Sequence, residues 1–239
     1  MFLAVCAELF FEACMRLSIQ TFLVASFVLL AAPIGATPKI PFSWPRKSCE
    51  DMTKVITSHL WGNIKAKIDK KPKAKIQVPS HENLRGYVAE YCAFYGMKEA
   101  FAGQQDVEIY SSVKFSKGND VLAEVDIIAR NCLLGSIDFY EVKAYSNVRA
   151  GFHRSKQQFA NLKEKLDSNR HHPWPPEIQI LVSAILFGDP SFHFMTYSVP
   201  FFAFNDSEVG YVPLPFSFQE IEMITKKVHK ELIAFQNAY

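Results

Sequence analysis

From Cys49 to Ile68, apolar residues recur at Met52, Val55, Ile56, Leu60 and Ile64, the three- and four-residue spacing of one helix face. A second segment of this kind, His81 to Gly96, lines up Leu84, Val88, Tyr91 and Tyr95, with Ser80 as its cap and Gly96 as its end. Three strand-like runs follow, Val107 to Phe115, Val121 to Ala129 and Ile137 to Ala144. Lys117-Gly118-Asn119-Asp120 has the chemistry of a hairpin turn, and Gly135 serves a second turn within Asn131 to Ser136, so the three runs form an antiparallel meander. A polar helix over about Phe152 to Asp167 comes next. Ile178 to Phe187 (IQILVSAILF) is nearly continuously apolar, which predicts a fully buried strand, and another apolar, aromatic run extends from Phe192 to Phe204. The chain closes with a helix from about Ser217 to Ala234, apolar at Ile221, Ile224, Val228, Leu232 and Phe235.

The amino-terminal segment breaks this pattern. No charge occurs from Leu17 to Ala36, and Thr21 to Ala32 (TFLVASFVLLAA) is almost wholly apolar. With Met15 as the start, Arg16 is a positive n-region, Ile19 to Ala32 is the h-region, and the small residues of PIGA-TP place cleavage after Ala36. The expectation is a secreted or periplasmic protein. The alternative is retention of residues 17–36 as a membrane anchor, with the remaining domain outside the cytoplasm, since about 20 apolar residues span a bilayer. Residues 1–36 are thus read as signal peptide or membrane anchor, 37–80 as linker, helix and Lys-rich segment, and 81–239 as the main domain.

The 239 residues, 49% hydrophobic and 21% charged, can build one sizeable core and exclude a largely disordered chain. The net charge of +2 excludes a uniformly polycationic protein; any polyanion contact must come from local clusters. The one dense basic run holds Lys65, Lys67, Lys70, Lys71, Lys73 and Lys75. Of these, Lys70, Lys71, Lys73 and Lys75 are the candidates for tracking a phosphate backbone, against the alternative of a solvated loop or helix end. Cys6 and Cys14 fall in the apolar segment, leaving Cys49, Cys92 and Cys132. That odd count, without a CxxC pair, argues against a structural zinc site and a disulfide-scaffold fold, and leaves one disulfide or three buried thiols.

Two of the apolar strands contain charges: Glu124-Val125-Asp126 in one, Glu141-Val142-Lys143 in the next. Side chains alternate along a strand, so Glu124 and Asp126 share one face, as do Glu141 and Lys143. A hairpin that joins those faces gathers carboxylates and an ammonium. Buried carboxylates are costly unless paired or holding a cation, and Mg2+ takes oxygen ligands while keeping several waters. Such a site suits phosphodiesters, because the ion neutralises the phosphate and acidifies a bound water while the lysine orients or deprotonates the attacking water.

This arrangement resembles the PD-(D/E)XK nuclease superfamily, with Asp126 at the aspartate position and Glu141-Val142-Lys143 at the E-x-K position. Arg85-Gly86-Tyr87-Val88-Ala89-Glu90 looks like the family's first core helix, whose glutamate often completes the metal site. Lys156-Gln157-Gln158-Phe159 is similar to the glutamine-bearing helix that follows E-x-K, with Gln157 and Gln158 competing for one role. The departure is Val125 where the family name has proline. The resemblance covers His81 to about Phe187. It implies an α/β restriction-endonuclease-like fold, with a mixed central sheet flanked by helices, and hydrolysis of nucleic acid, DNA before RNA, with Mg2+ or Mn2+. It further implies Asp126, Glu141, Lys143 and Gln157 or Gln158 as catalytic positions, and Glu90, Asp126, Glu141 and Val142 as metal positions.

Two rival functions remain: the same fold kept as an inactive module that binds nucleic acid or protein, and a membrane-anchored envelope protein whose charged strand residues form a structural network. Glu124 reads as a surface or supporting residue, with substitute ligand as its alternative. His171 and His172 lie in HHPWPP and read as a surface turn, because no Cys or His stands at ligand spacing. The sequence has no nucleophile elbow and no glycine-rich phosphate loop.

Overall fold

A computed structural model describes residues 48–70, 77–197 and 208–238. All lie in the second of two compact units, Phe42–Tyr239. The readings of residues 1–36 and of Lys71, Lys73 and Lys75 lie outside the described residues, as does the run beyond Tyr197. Among the described residues no helix is long and apolar enough to cross a membrane.

The chain order is α1 (Cys49–Lys70), α2 (His81–Ala100), β1 (Val107–Lys117), β2 (Asp120–Asn131), β3 (Ser136–Val142), α3 (Val148–Ser168), α4 (Pro176–Phe187), β4 (Ser191–Tyr197), β5 (Val209–Leu214) and α5 (Phe218–Ala238). The strands form one mixed sheet in the order β1-β2-β3-β4-β5. The first three make the expected antiparallel meander, turning at Gly118 (φ 62°) and Gly135 (φ 65°), where a left-handed backbone favours glycine. β4 and β5 then add in parallel. Pro213 sits in β5, an edge strand, where a missing ladder donor is tolerated.

Local side chains cap the first turns of α2, α3 and α5. Ser80 accepts the Asn83 N–H, and Asn147 Oδ1 accepts that of Ala150 at 3.1 Å. Ser217 and Glu220 form a capping box, with Ser217 N donating to Glu220 Oε2 at 2.8 Å and Glu220 N donating to Ser217 Oγ at 3.3 Å. The helix from His81 does not stop at Gly96; that glycine is buried within α2, which continues to Ala100.

The expectation that fails outright is the strand over Ile178–Phe187: these residues are helix α4. A nearly continuous apolar run suits a buried helix or a buried strand equally. The deciding residues are Pro175 and Pro176, which start a helix without losing a needed donor. Only Leu181, Val182 and Ile185 are buried, while Phe187 is 75% exposed.

Helices cover both faces of the sheet. On one face, Phe192 and Phe194 of β4 pack against Phe159 and Phe152 of α3 at centroid distances of 4.6 and 5.6 Å. Tyr197, of opposite parity, meets Phe218 of α5 on the other face, and α5 packs with α1 and α2. Each fully buried Phe or Leu contributes about 1.5–3 kcal/mol over its exposed state.

Candidate functional site

Pairing between β2 and β3 ends at Ile127↔Tyr140. Beyond that point the strands part, and the Asp126 side chain replaces the ladder: its Oδ2 accepts the Val142 N–H at 2.8 Å. The β3 backbone turns to β4 instead, with Lys143 N donating to Met195 O at 2.9 Å. Phe139, Glu141 and Lys143 share the face of β3 beneath α3, and the antiparallel register puts Asp126 on that same face. The fork therefore collects the three residues. Lys143 Nζ donates to Glu141 Oε2 at 2.6 Å and to Asp126 Oδ2 at 3.4 Å. All three side chains are largely enclosed, Glu141 most of all, at 2% exposed.

Glu90 on α2 is the fourth member, close enough that Asp126, Lys143, Glu141 and Glu124 all act on its charge. Burial, reinforced by the Asp126 charge, pushes the Glu90 carboxyl up to about 8, although Lys143 pulls it down. Burial and then Asp126 likewise hold Glu141 well above the ordinary carboxylate range, against the opposing pull of Lys143. For Lys143 itself, burial works to lower the ammonium pKa, but Asp126 and Glu141 outweigh it and hold it above its usual value. The cluster thus gathers three carboxyl groups about one ammonium, and burial holds two of them, Glu90 and Glu141, toward the neutral form.

Other candidates fall away from this centre. Glu124 is exposed and faces Lys114 across β1 at 3.6 Å. The Val142 side chain is buried and offers no donor atom, so only its backbone could contribute. Gln157 and Gln158 are both exposed on α3. They differ in orientation, since Gln158 shares a helix row, at spacings of seven, with Gly151 and Lys165. A Cβ on Gly151 would lie 3.5 Å from Lys143 Cβ, and Lys165 Nζ donates to Leu122 O of β2 at 2.6 Å. That row runs along the β2–β3 side, and Gln157 is turned away from it. Lys70, the last residue of α1, is exposed.

Among the described residues, no three of His, Cys, Asp and Glu form a group that could hold a metal ion, and the Lys143 ammonium lies between the Asp126 and Glu141 carboxylates. His172 packs edge-on to Trp174 at 4.7 Å. Cys92 is a buried free thiol.

Sequence reasoning missed two features near or beside this site. Tyr145 lies just past β3, with Arg154 from α3 resting on it. On the opposite side of the sheet, Glu222 of α5 joins His81 and Arg85 of α2 at 2.9 and 2.8 Å. The i, i+3 relation of Gly151 and Arg154 was a signal for the first; the second spans 137 residues and left no local trace. The fork defines a buried carboxylate–lysine site on an α/β sheet. Compared with known proteins, the chain matches no family model, no curated protein and no solved structure.

Proposed function

We propose that this chain is a metal-dependent nuclease of the PD-(D/E)XK type, with a restriction-endonuclease-like core, that hydrolyses phosphodiester bonds, most of all in DNA. The observation that carries this reading is the convergence of Asp126, Glu141 and Lys143 at the fork, with Glu90 beside them and two carboxylates pushed toward neutrality. A buried excess of carboxylate is relieved by a cation, and hard oxygen donors select Mg2+ or Mn2+ over softer-ligand metals. Asp126, Glu141 and Glu90, with the Val142 carbonyl, are the groups that would hold the ion. When bound, it would neutralise the scissile phosphate and acidify water.

The chain's own residues supply the remainder. Lys143 places a positive charge beside both carboxylates, which hold it as an ammonium, so it can donate to and orient the attacking water. Gln158 is the better placed of the two glutamines to fix that water from α3. Burial of Glu141 and Lys143 strengthens each electrostatic interaction relative to bulk water. The apolar segment 17–36 supports export, or anchoring with this domain outside the cytoplasm.

The test is incubation of the full chain with linear, circular and single-stranded DNA and with RNA, in Mg2+, Mn2+ or EDTA. Cleavage in metal, none in EDTA, and none by Asp126→Ala is the expected result. Absence of cleavage of every substrate in both metals would overturn the reading. A second reading is favoured by the Lys143 bridge itself: an inactive module in which that bridge is a structural ion pair. It predicts no cleavage and a melting temperature that does not respond to Mg2+.

A further inference from the structure

The segment leaving β3 is held unusually firmly for a strand-to-helix connection. Thr196 Oγ1 donates to the Lys143 carbonyl, and Tyr197 Oη donates to the carbonyls of Tyr145 (2.7 Å) and Ser146 (3.1 Å). Together with the Lys143 N–H bonded to Met195, these contacts tie residues 143–146 to β4. The result is that Tyr145 has a fixed place directly after the fork lysine.

Arg154 lies on that tyrosine. Its NH1 donates to Tyr145 Oη at 2.9 Å, and its guanidinium carbon stands 5.0 Å from the ring centroid. Arg154 is exposed, and among the described residues its partner is Tyr145, through hydroxyl and ring, rather than a carboxylate. Gly151, one turn earlier on the same side of α3, permits the approach. A Cβ there would meet Tyr145 Cδ2 at 3.2 Å, Phe194 Cζ at 3.4 Å and Lys143 Cβ at 3.5 Å. Lys143, Tyr145 and Arg154 are therefore linked through Gly151 in one packed unit at the α3 side of the fork.

A guanidinium presents planar donors that match two phosphate oxygens, and holding it in advance reduces the ordering cost of binding. The guanidinium at the edge of the fork, with no carboxylate partner among the described residues, is complementary to a phosphate, while the carboxyl groups inside the fork are complementary to a cation bound between them and that phosphate.

We propose that Arg154 binds a backbone phosphate of the nucleic-acid substrate next to the scissile bond, with Tyr145 as the positioning residue that holds the guanidinium. This rests on the nuclease reading and assigns phosphate contact to α3, close to the fork. Arg154 touches substrate in this scheme; Tyr145 acts through Arg154.

Binding of the full chain to a short fluorescein-labelled DNA duplex, followed by anisotropy in EDTA over a KCl titration, tests it. Each phosphate contact contributes about 0.9 to the slope of log K against log salt. Arg154→Ala is expected to weaken binding severalfold and to lower that slope by about 0.9. Arg154→Lys, which keeps the charge, should retain the slope with reduced affinity. Tyr145→Phe, which keeps the ring and loses the hydroxyl bond, should weaken binding with the slope unchanged. The control is Lys226→Ala with Lys227→Ala, exposed positions on α5, which removes twice the charge and should leave the slope as it is. Wild-type binding with an Arg154→Ala slope equal to wild type, or a matching loss in the α5 control, overturns the Arg154 assignment and leaves the nuclease reading standing. Failure of the wild type to bind or cleave any nucleic acid overturns both.

Discussion

Two charged clusters tie helix α2 to the rest of the molecule, and their electrostatics run in opposite directions. In one, Glu222 faces two nitrogen partners, Arg85 and His81, at 2.8 and 2.9 Å. The Arg85 hydrogen bond holds the Glu222 carboxyl below its ordinary value, with burial opposing and His81 adding to the effect. In the other, Glu90, Asp126 and Glu141 share the single Lys143 ammonium, and burial pushes Glu90 and Glu141 upward. The first cluster is complete as it stands and behaves as a fastening. The second gathers three carboxyl groups about one ammonium, with burial holding Glu90 and Glu141 toward the neutral form, and groups perturbed in this way cluster at functional sites more than at simple fastenings.

The largest test of this contrast is removal of the shared ammonium. Lys143→Ala should lower the cleavage rate by roughly 10^2 to 10^3, the range for a positioned donor to developing charge, measured with Mg2+ under single-turnover conditions. Undiminished cleavage would remove Lys143 from the chemistry and reduce the fork to a second fastening.

Next in size is the pH response of the fork. The Glu90 carboxyl has an ordinary value of 4.5 and is pushed up to about 8 in the folded protein. The folded state then binds more protons than the unfolded state across that window, so this contribution to stability falls as pH rises through it. In EDTA, Glu90→Gln should therefore melt several degrees above wild type at the top of the window and close to it at the bottom. Mg2+ should raise the wild-type melting temperature at alkaline pH more than that of the variant. A variant that is less stable than wild type in EDTA throughout would show that the charge is balanced already.

For Glu222 the sign reverses. Its folded value lies below the ordinary 4.5, so its contribution is present above that pH and is lost as pH falls through the lowered value. Glu222→Gln should cost about 1 kcal/mol near neutral pH, measured by urea titration, and the difference from wild type should shrink on acidification. Cleavage should be unaffected. A difference that grows in acid would contradict the fastening role.

The smallest expected effect belongs to Glu124, which shares the face of Asp126 but is exposed and faces Lys114. Glu124→Gln should change stability by less than about 0.5 kcal/mol and leave the metal dependence of cleavage in place. A large rightward shift of the Mg2+ titration would instead make it a ligand and extend the fork along β2.

The sequence by itself determined what depends on neighbours within a few residues. The alternation in β2 and β3, the glycine turns at Gly118 and Gly135, the Ser80 cap and the spacing of α5 are local preferences, and each was readable before the chain was folded. So was the pairing of Asp126 with Glu141 and Lys143, because a hairpin register is short-range. Tertiary structure decided whatever depends on distant partners or on which way a face turns. The run Ile178–Phe187 reads as a strand by its apolar content and as a helix by the prolines before it, and the folded chain takes the helix, burying Leu181, Val182 and Ile185. β5 formed because β4 offered it an edge. The approach of Glu90 to the fork, the exposure of both Gln157 and Gln158, and the seat of Arg154 on Tyr145 required the helices to be placed on the sheet. Local spacing can name the charged residues; only burial and the fixed geometry around them set which carboxyls are held ionised by cationic partners and which are pushed toward the neutral form.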